Sequence, residues 1–262
     1  MANLCNPYRF FNLTPSYITI QTTSTSVSWS PSSIISSQYV LGWEVSGGIT
    51  IPYTEINDPT FDLSSNSGVA VITVTGYNNF YGVSTFNLSN FPNVLTITSI
   101  DLSSAKELGS LQLVNDPISS IDLSNNLYLN FLTLYGLSNI TSIDLTNNIL
   151  LTSLIIEYME ITTLDLSFNS DLIIYTIRNN SSLTSIILSP LNATTLNINN
   201  NNLSATVIDN IINQLDTNGV SNGFLNYSNQ QGGQVPTSAS YTAYNNLITK
   251  GWTITGTAPP AP

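Results

Sequence analysis

The heptapeptide SIDLSNN at residues 120–126 returns as SIDLTNN at residues 142–148. Either a reactive acid has been copied, Asp122 then Asp144, or the chain is built from copies and the acid travels with them. Alignment on apolar-x-apolar triplets extends the pattern both ways: Ile100-Asp101-Leu102, Ile121-Asp122-Leu123, Ile143-Asp144-Leu145, Leu164-Asp165-Leu166 and Ile186-Ile187-Leu188, in steps of 21, 22, 21 and 22 residues. A second series lies between them: Leu111-Gln112-Leu113, Leu132-Thr133-Leu134, Leu154-Ile155-Ile156, Tyr175-Thr176-Ile177 and Leu196-Asn197-Ile198, in steps of 21, 22, 21 and 21. Ten hits on a nested period do not arise from composition, and a period near 20 residues is the mark of a stacked repeat.

An apolar-x-apolar triplet is a short strand with both apolar side chains on one face. The two series interleave at 10 or 11 residues, which holds a short strand and a turn but not a strand and a full helix. The unit is therefore a flat coil with two strands on opposite sides. Coils stack at the strand spacing of about 4.8 Å, so each strand pairs with its copy, two parallel sheets form, and Leu and Ile fill the space between them. No coil buries its apolar face alone, so stability belongs to the stack. Asn126, Asn148 and Asn169 each follow the second apolar position by three residues. An inward-turned Asn there can hydrogen-bond the backbone of the turn and of its neighbours, giving a structural ladder.

Composition narrows the function. The chain has 262 residues, four of them basic against fifteen acids, a net charge of −11, and 42% hydrophobic residues. It can build a core, but it has no basic patch for phosphate backbones or for a polybasic membrane anchor. Ser, Thr and Asn supply the polar surface, which fits a protein working outside a cell; a biased AT-rich genome enriches the same residues. One cysteine, Cys5, leaves no internal disulfide. No signal peptide is legible at the N-terminus, and no apolar segment approaches the roughly 18–20 residues of a membrane span.

After Leu203 the period changes. Residues 204–219 carry Val207, Ile208, Ile211, Ile212 and Leu215 at helical spacing, with Ser204 placed to cap the start and Gly219 to end the helix. A strand (223–228), a loop, a second helix (239–251) and a last strand, WTITG, follow. This divides the chain into an N-terminal β domain (1–90), a solenoid (91–203), an α/β cap (204–256) and a tail (257–262). In the N-terminal part, SVSWSPSSI, YVLGWEVSGGITIPY and GVAVITVTGY are strand-like, and FDLSSN (61–66) with Ile72-Thr73-Val74 reads as a degenerate early coil.

ITSIDLTNN (140–148) and ITTLDLSFN (161–169) resemble the leucine-rich repeat, LxxLxLxxN, and the nested half-period resembles its short bacterial form. The likeness covers about residues 95–203, and the second series departs from it at Asp116, Leu137 and Met159. It implies a mainly β solenoid with two parallel strands per coil. The passage NGVSNGFLNYS (218–228) and LITKGWTIT (247–255) resembles a C-terminal module found after such repeats in structural and tail proteins of bacteriophages and in surface proteins of Bacteroidetes-type bacteria. That resemblance implies a virion-surface protein: a head-decoration, head-fibre or tail component, docked on capsid or tail proteins through its N-terminal domain and displaying the solenoid toward a host protein or glycan, in the manner of homotrimeric display proteins. The alternative is a bacterial surface or secreted adhesin. A polysaccharide-degrading solenoid is the third reading.

Catalysis finds little support in the residues. There is no His, no cysteine cluster for zinc, and no G-x-S-x-G, P-loop or Rossmann fingerprint. No cofactor or metal is expected. The carboxylates available to a glycosidase are Asp101, Asp122, Asp144 and Asp165, with Glu157 and Glu160 nearby. The four Asp occupy triplet centres, so they point outward in a row one coil apart, a solvated face, a cation-binding row or a contact surface rather than a pocket. Tyr128, Tyr135, Tyr158 and Tyr175 fall where a carbohydrate-binding face could lie, although Tyr175 holds a core position.

Overall fold

The structure is a computed structural model that describes residues 15–24, 33–36, 42–46, 62–77, 83–88, 97–189 and 192–262. Cys5, most of SVSWSPSSI and of YVLGWEVSGGITIPY, and residues 190–191 lie outside the described residues. In chain order the strands are β1 (Pro15–Thr22), β2 (Ser33–Ser36), β3 (Gly42–Ser46), β4 (Ala70–Tyr77), β5 (Val83–Asn87), β6 (Ile97–Asp101), β7 (Ser110–Val114), β8 (Phe131–Tyr135), β9 (Ser153–Glu157), β10 (Thr163–Leu166), β11 (Ile174–Arg178), β12 (Ser185–Leu188) and β13 (Thr195–Asn197). Helix α1 (Ala205–Asn218), β14 (Phe224–Asn226), helix α2 (Tyr241–Thr249) and β15 (Thr253–Thr255) complete the chain.

The second triplet series forms the spine. Its strands lie in one sheet in the order β15-β14-β13-β11-β9-β8-β7-β5-β2, and every pairing from β5 to β15 is parallel. The register matches triplet to triplet: Leu111 faces Leu132, Leu132 faces Leu154, Leu154 faces Tyr175, and Tyr175 faces Leu196. These inward residues are fully buried, each contributing roughly 2 kcal/mol of burial. The protein is thus a mainly β solenoid with coils about 21–22 residues apart.

The two sides of the coil differ in regularity. On the first-series side, among the described residues, a parallel ladder forms only between β10 and β12, while β6 pairs antiparallel with β1. The stretches around Ile121 and Ile143 run without a ladder, and both side chains are only partly buried. Three residues before each triplet an apolar residue, Ile118, Ile140, Ile161 or Leu183, is fully buried on these coils, with or without a ladder.

The early-coil reading of residues 61–74 meets a different geometry. Residues 62–66 do make the coil's turn, with Ser64 N–H donating to Asp62 Oδ1 at 2.9 Å and Asn66 N–H to Leu63 O at 2.9 Å. The following strand, β4, then pairs antiparallel with β1 and β3 rather than stacking in parallel. The short turn signal at 62–66 specifies the bend, but it does not specify the partner of the next strand. This antiparallel sheet joins the solenoid through β1 and β6, and β5 joins it through β7, so the first segments are hydrogen-bonded onto the stack.

The other end is closed by helices. Ser204 Oγ accepts from Val207 N–H, and Gly219 takes φ 75° at the C-terminal cap of α1. Ile208, Ile211, Ile212 and Leu215 face the core. Asp209, buried on the same helix, accepts hydrogen bonds from Thr237 N–H (2.9 Å), Thr237 Oγ1 (2.6 Å) and Ser240 Oγ (2.5 Å), which pins the loop before α2. Trp252 lies against Gly223, where a Cβ would meet its ring at 2.5 Å, and donates from Nε1 to Val220 O at 2.7 Å.

Candidate binding surfaces of the solenoid

The buried Asn residues tie coil to coil. Asn126 Nδ2 donates to Leu102 O (3.1 Å) and Ala105 O (2.8 Å), Asn148 Nδ2 to Leu123 O (3.1 Å) and Asn126 O (2.9 Å), and Asn169 Nδ2 to Leu145 O (3.0 Å) and Asn148 O (2.9 Å). All three are fully buried. Each amide thus adds a second donor to carbonyls that already accept a backbone N–H within their own turn, and so ties that turn to the next coil. A second ladder stands on the opposite turn. Asn180 Nδ2 donates to Ile156 O (3.1 Å), Asn201 Nδ2 to Ile177 O (2.6 Å) and Ile198 O (2.9 Å), and Gln230 Nε2 to Ile198 O (2.8 Å). Sequence reading passed over Asn180 and Asn201, although each follows its triplet at the same three-residue offset. Gln230 lies beyond the 21–22-residue period but follows Leu225-Asn226-Tyr227 at the same offset, with Gln in place of Asn.

Asp116 occupies the ladder position one side earlier. It is buried, accepts from Ile97 N–H at 3.3 Å through Oδ1, and has no partner for Oδ2. Burial pushes its carboxyl up to about 7, with the Ile97 bond pulling weakly the other way.

Asp101, Asp122, Asp144 and Asp165 are exposed and outward. Each has a definite task. Their Oδ1 atoms accept the backbone N–H of Ser103, Ser124, Thr146 and Ser167, all at 2.9 Å. This is an Asx turn, and it forms the bend that delivers the next Asn inward. Asp122 and Asp165 are held below the usual carboxylate range by hydrogen bonding to Ser124 and Ser167, and Asp144 by hydrogen bonding to Thr146. The signal was present as Asp-Leu-Ser/Thr in all four copies. Among the described residues, no cluster of three or more His, Cys, Asp or Glu could hold a metal ion, and no helix is long and apolar enough to cross a membrane.

Beside each Asn the same turn displays apolar side chains, after Asn126 and Asn148 and before Asn169. Leu127, Tyr128, Ile149 and Phe168 are between 49% and 58% exposed, and Phe131 and Ile174, at the start of β8 and β11, are 54% and 43% exposed. The turns are stacked copies, tied by the Asn ladder and by Thr152 N–H to Asn130 O and Ile173 N–H to Thr152 O. These residues therefore form one apolar ridge along the strand-entry edge, bordered by the Asp row.

Of the four tyrosines, Tyr175 is fully buried in the core with its hydroxyl unpartnered, and burial raises that hydroxyl's pKa. Tyr128 belongs to the apolar ridge. Tyr135 and Tyr158 come together on the opposite, strand-exit edge, with ring centroids 5.0 Å apart at 59°.

No protein-family model matches the chain, and no curated protein matches it. Among solved structures, the functional domain of InlJ from Listeria monocytogenes, which includes a cysteine ladder, is similar at 22% identity and a TM-score of 0.36, over 56% of this chain and 32% of that one. The chain thus spans about a third of that neighbour's length. On its own geometry, the protein is a leucine-rich-repeat-like β-solenoid, extended by an antiparallel sheet at one end and closed by an α/β cap at the other.

Proposed function

We propose that this chain is a non-enzymatic adhesive or structural protein, displayed on a virion surface, that holds a partner protein against the strand-entry edge of its solenoid. The observation that carries this reading is the apolar ridge of Leu127, Tyr128, Ile149 and Phe168, exposed on consecutive coils beside the row Asp101, Asp122, Asp144 and Asp165. Large exposed apolar patches with a polar border are features of contact surfaces. With a net charge of −11, the complementary partner has an apolar centre and a basic rim. The carboxylates are a poor fit to glycoside hydrolysis, which needs two acids in contrasting environments; Asp122, Asp144 and Asp165 share one environment and are all shifted downward. The virion placement rests on the resemblance of the C-terminal module and assigns the N-terminal segments to capsid or tail contact.

Peptide mass spectrometry and immunogold labelling of purified virions and of bacterial envelope fractions from the source culture test the placement. Recovery with virions supports it, and recovery only with the envelope transfers the reading to a bacterial adhesin. Binding of the labelled chain to host cells tests the surface. The triple variant Leu127→Ser, Ile149→Ser, Phe168→Ser should lose it. Glycan hydrolysis that disappears in Asp122→Asn and Asp144→Asn would refute the non-enzymatic reading.

A further inference from the structure

A row of left-handed residues ends the strands of the long sheet: Asn115 (φ 60°), Gly136 (φ 68°), Tyr158 (φ 54°), Asn179 (φ 60°) and Asn200 (φ 55°). Asn and Gly accept this conformation readily, and an aromatic residue does not. Tyr158 is therefore held against its backbone preference, at a place where every other coil solves the same turn with an ordinary residue. Strain of this kind concentrates where a side chain serves a function. The ring it presents is 50% exposed.

The surroundings are equally specific. In sheet register Tyr135 stands beside Glu157, and Glu157 beside Arg178. Glu157 is almost entirely buried, its side chain only 7% exposed, and Arg178 Nε lies 2.9 Å from its Oε2 while the Arg178 side chain as a whole is 42% exposed. Among the described residues the one other ion pair is Lys250–Asp216 in the cap. A chain this poor in charge has placed a buried carboxylate and one of its two arginines beside a tyrosine pair. Removing a carboxylate from water is costly, and such a pair is weak support for stability. The Tyr135 hydroxyl responds to all three neighbours: burial raises it most, the Tyr158 and Glu157 charges raise it further, and Arg178 lowers it. The four side chains thus form one cluster.

We infer that Tyr135, Tyr158, Glu157 and Arg178 form a binding site for a neutral glycan at the strand-exit edge. The two rings offer amphipathic faces for the C–H surface of a pyranose, each with a hydroxyl to donate or accept. The buried Glu157 carboxylate fixes the partly exposed Arg178 side chain, whose remaining N–H groups are donors for sugar hydroxyls. Two residues back along the strands the register runs Thr133, Ile155, Thr176 and Asn197, so polar side chains flank one apolar contact beside the site. The net charge of −11 selects against sialylated or sulfated sugars, and the pairing of Arg178 with Glu157 removes the cation such sugars need. This site is independent of the apolar ridge, which lies at the other end of the same strands.

The test uses the full chain on an array of neutral hexose- and N-acetylhexosamine-terminated oligosaccharides, with sialylated and sulfated glycans alongside, and calorimetric titration of the best neutral glycan. Tyr158→Asn and Tyr158→Gly restore residues that suit the left-handed turn, so both fold at least as stably as the wild type. They should weaken glycan binding by about tenfold or more while Tm stays level or rises. Binding to host cells through Leu127, Ile149 and Phe168 should be untouched in both. Absence of neutral-glycan binding, retention of it in both variants, preference for anionic glycans, or loss of a protein contact instead would each overturn the assignment.

Discussion

Replacing Asp116 with Asn isolates the single ladder position that carries a carboxylate. In the native fold the carboxyl sits near 7 against an ordinary value of 3.8. A group whose folded pKa is raised contributes stability below its unfolded pKa and loses it as pH rises through the folded value. The window is therefore pH 4 to 7, with the loss complete above it. Three units at about 1.36 kcal/mol each correspond to about 4 kcal/mol. Asn keeps the acceptor for Ile97 N–H and replaces the orphaned Oδ2 with an amide. The corresponding amide of Asn201 donates to Ile198 O, three residues back, at 2.9 Å, so an amide at 116 has the carbonyl of Leu113 to meet. The variant should match the wild type within about 1 kcal/mol at pH 4.5. At pH 8 it should exceed the wild type by up to about 4 kcal/mol, roughly 2–4 °C in Tm per kcal/mol. Asp62, Asp122, Asp144 and Asp165 are shifted downward, so their stabilisation is lost only as pH falls below about 4, and they cancel between the two proteins. Urea melts of both at pH 4.5 and pH 8, at one ionic strength, measure the gap. A gap that does not change between the two pH values refutes the reasoning.

Other substitutions probe the remaining layers. Tyr175→Phe removes an unpartnered buried hydroxyl and should raise stability by about 1 kcal/mol or leave it unchanged in denaturant melts; a clear loss would mean that the hydroxyl has a partner. Asn148→Ala removes two coil-to-coil hydrogen bonds, to the carbonyls of Leu123 and Asn126, which keep their backbone donors; it should cost about 1–3 kcal/mol, more than Asn125→Ala in the same kind of melt. Asp209→Ala releases the Thr237–Ser240 loop and should cost about 2–4 kcal/mol, with proteolysis appearing first between α1 and α2. Asp122→Asn retains the turn's acceptor oxygen and should leave thermal stability at pH 7 nearly unchanged, whereas Asp122→Ala should lower it.

Residues 97–255 were largely legible because their physics is periodic. Period 2 inside each triplet and period 21–22 between triplets leave one arrangement that buries Leu132, Leu154 and Leu196 together, and Ser204 and Gly219 bound α1 by local chemistry alone. The recurrence of Asp122 as Asp144 is likewise local: Asp-Leu-Ser/Thr closes a turn wherever it is placed. Period does not state which side of the coil keeps a ladder. The triplets of Ile121 and Ile143 carry the same pattern as that of Leu164, yet among the described residues only the last pairs in parallel with its copy in the next coil. Nor does it reveal that β4 turns back antiparallel after a coil-like bend at 62–66, since strand pairing depends on a partner far along the chain.

The candidate surfaces divide in the same way. Sequence alone determined the solenoid, the inward Asn126, Asn148 and Asn169, and an outward row at Asp101, Asp122, Asp144 and Asp165, because each follows from side-chain alternation and spacing. Only the tertiary structure set Tyr128 and Tyr158 at opposite ends of the sheet strands, drew Tyr135, Glu157 and Arg178 into one row, and left Asp116 without a partner for its second oxygen. Those outcomes depend on stacking one coil on the next, which converts residues 21 or 22 positions apart into neighbours and decides which polar atoms retain water.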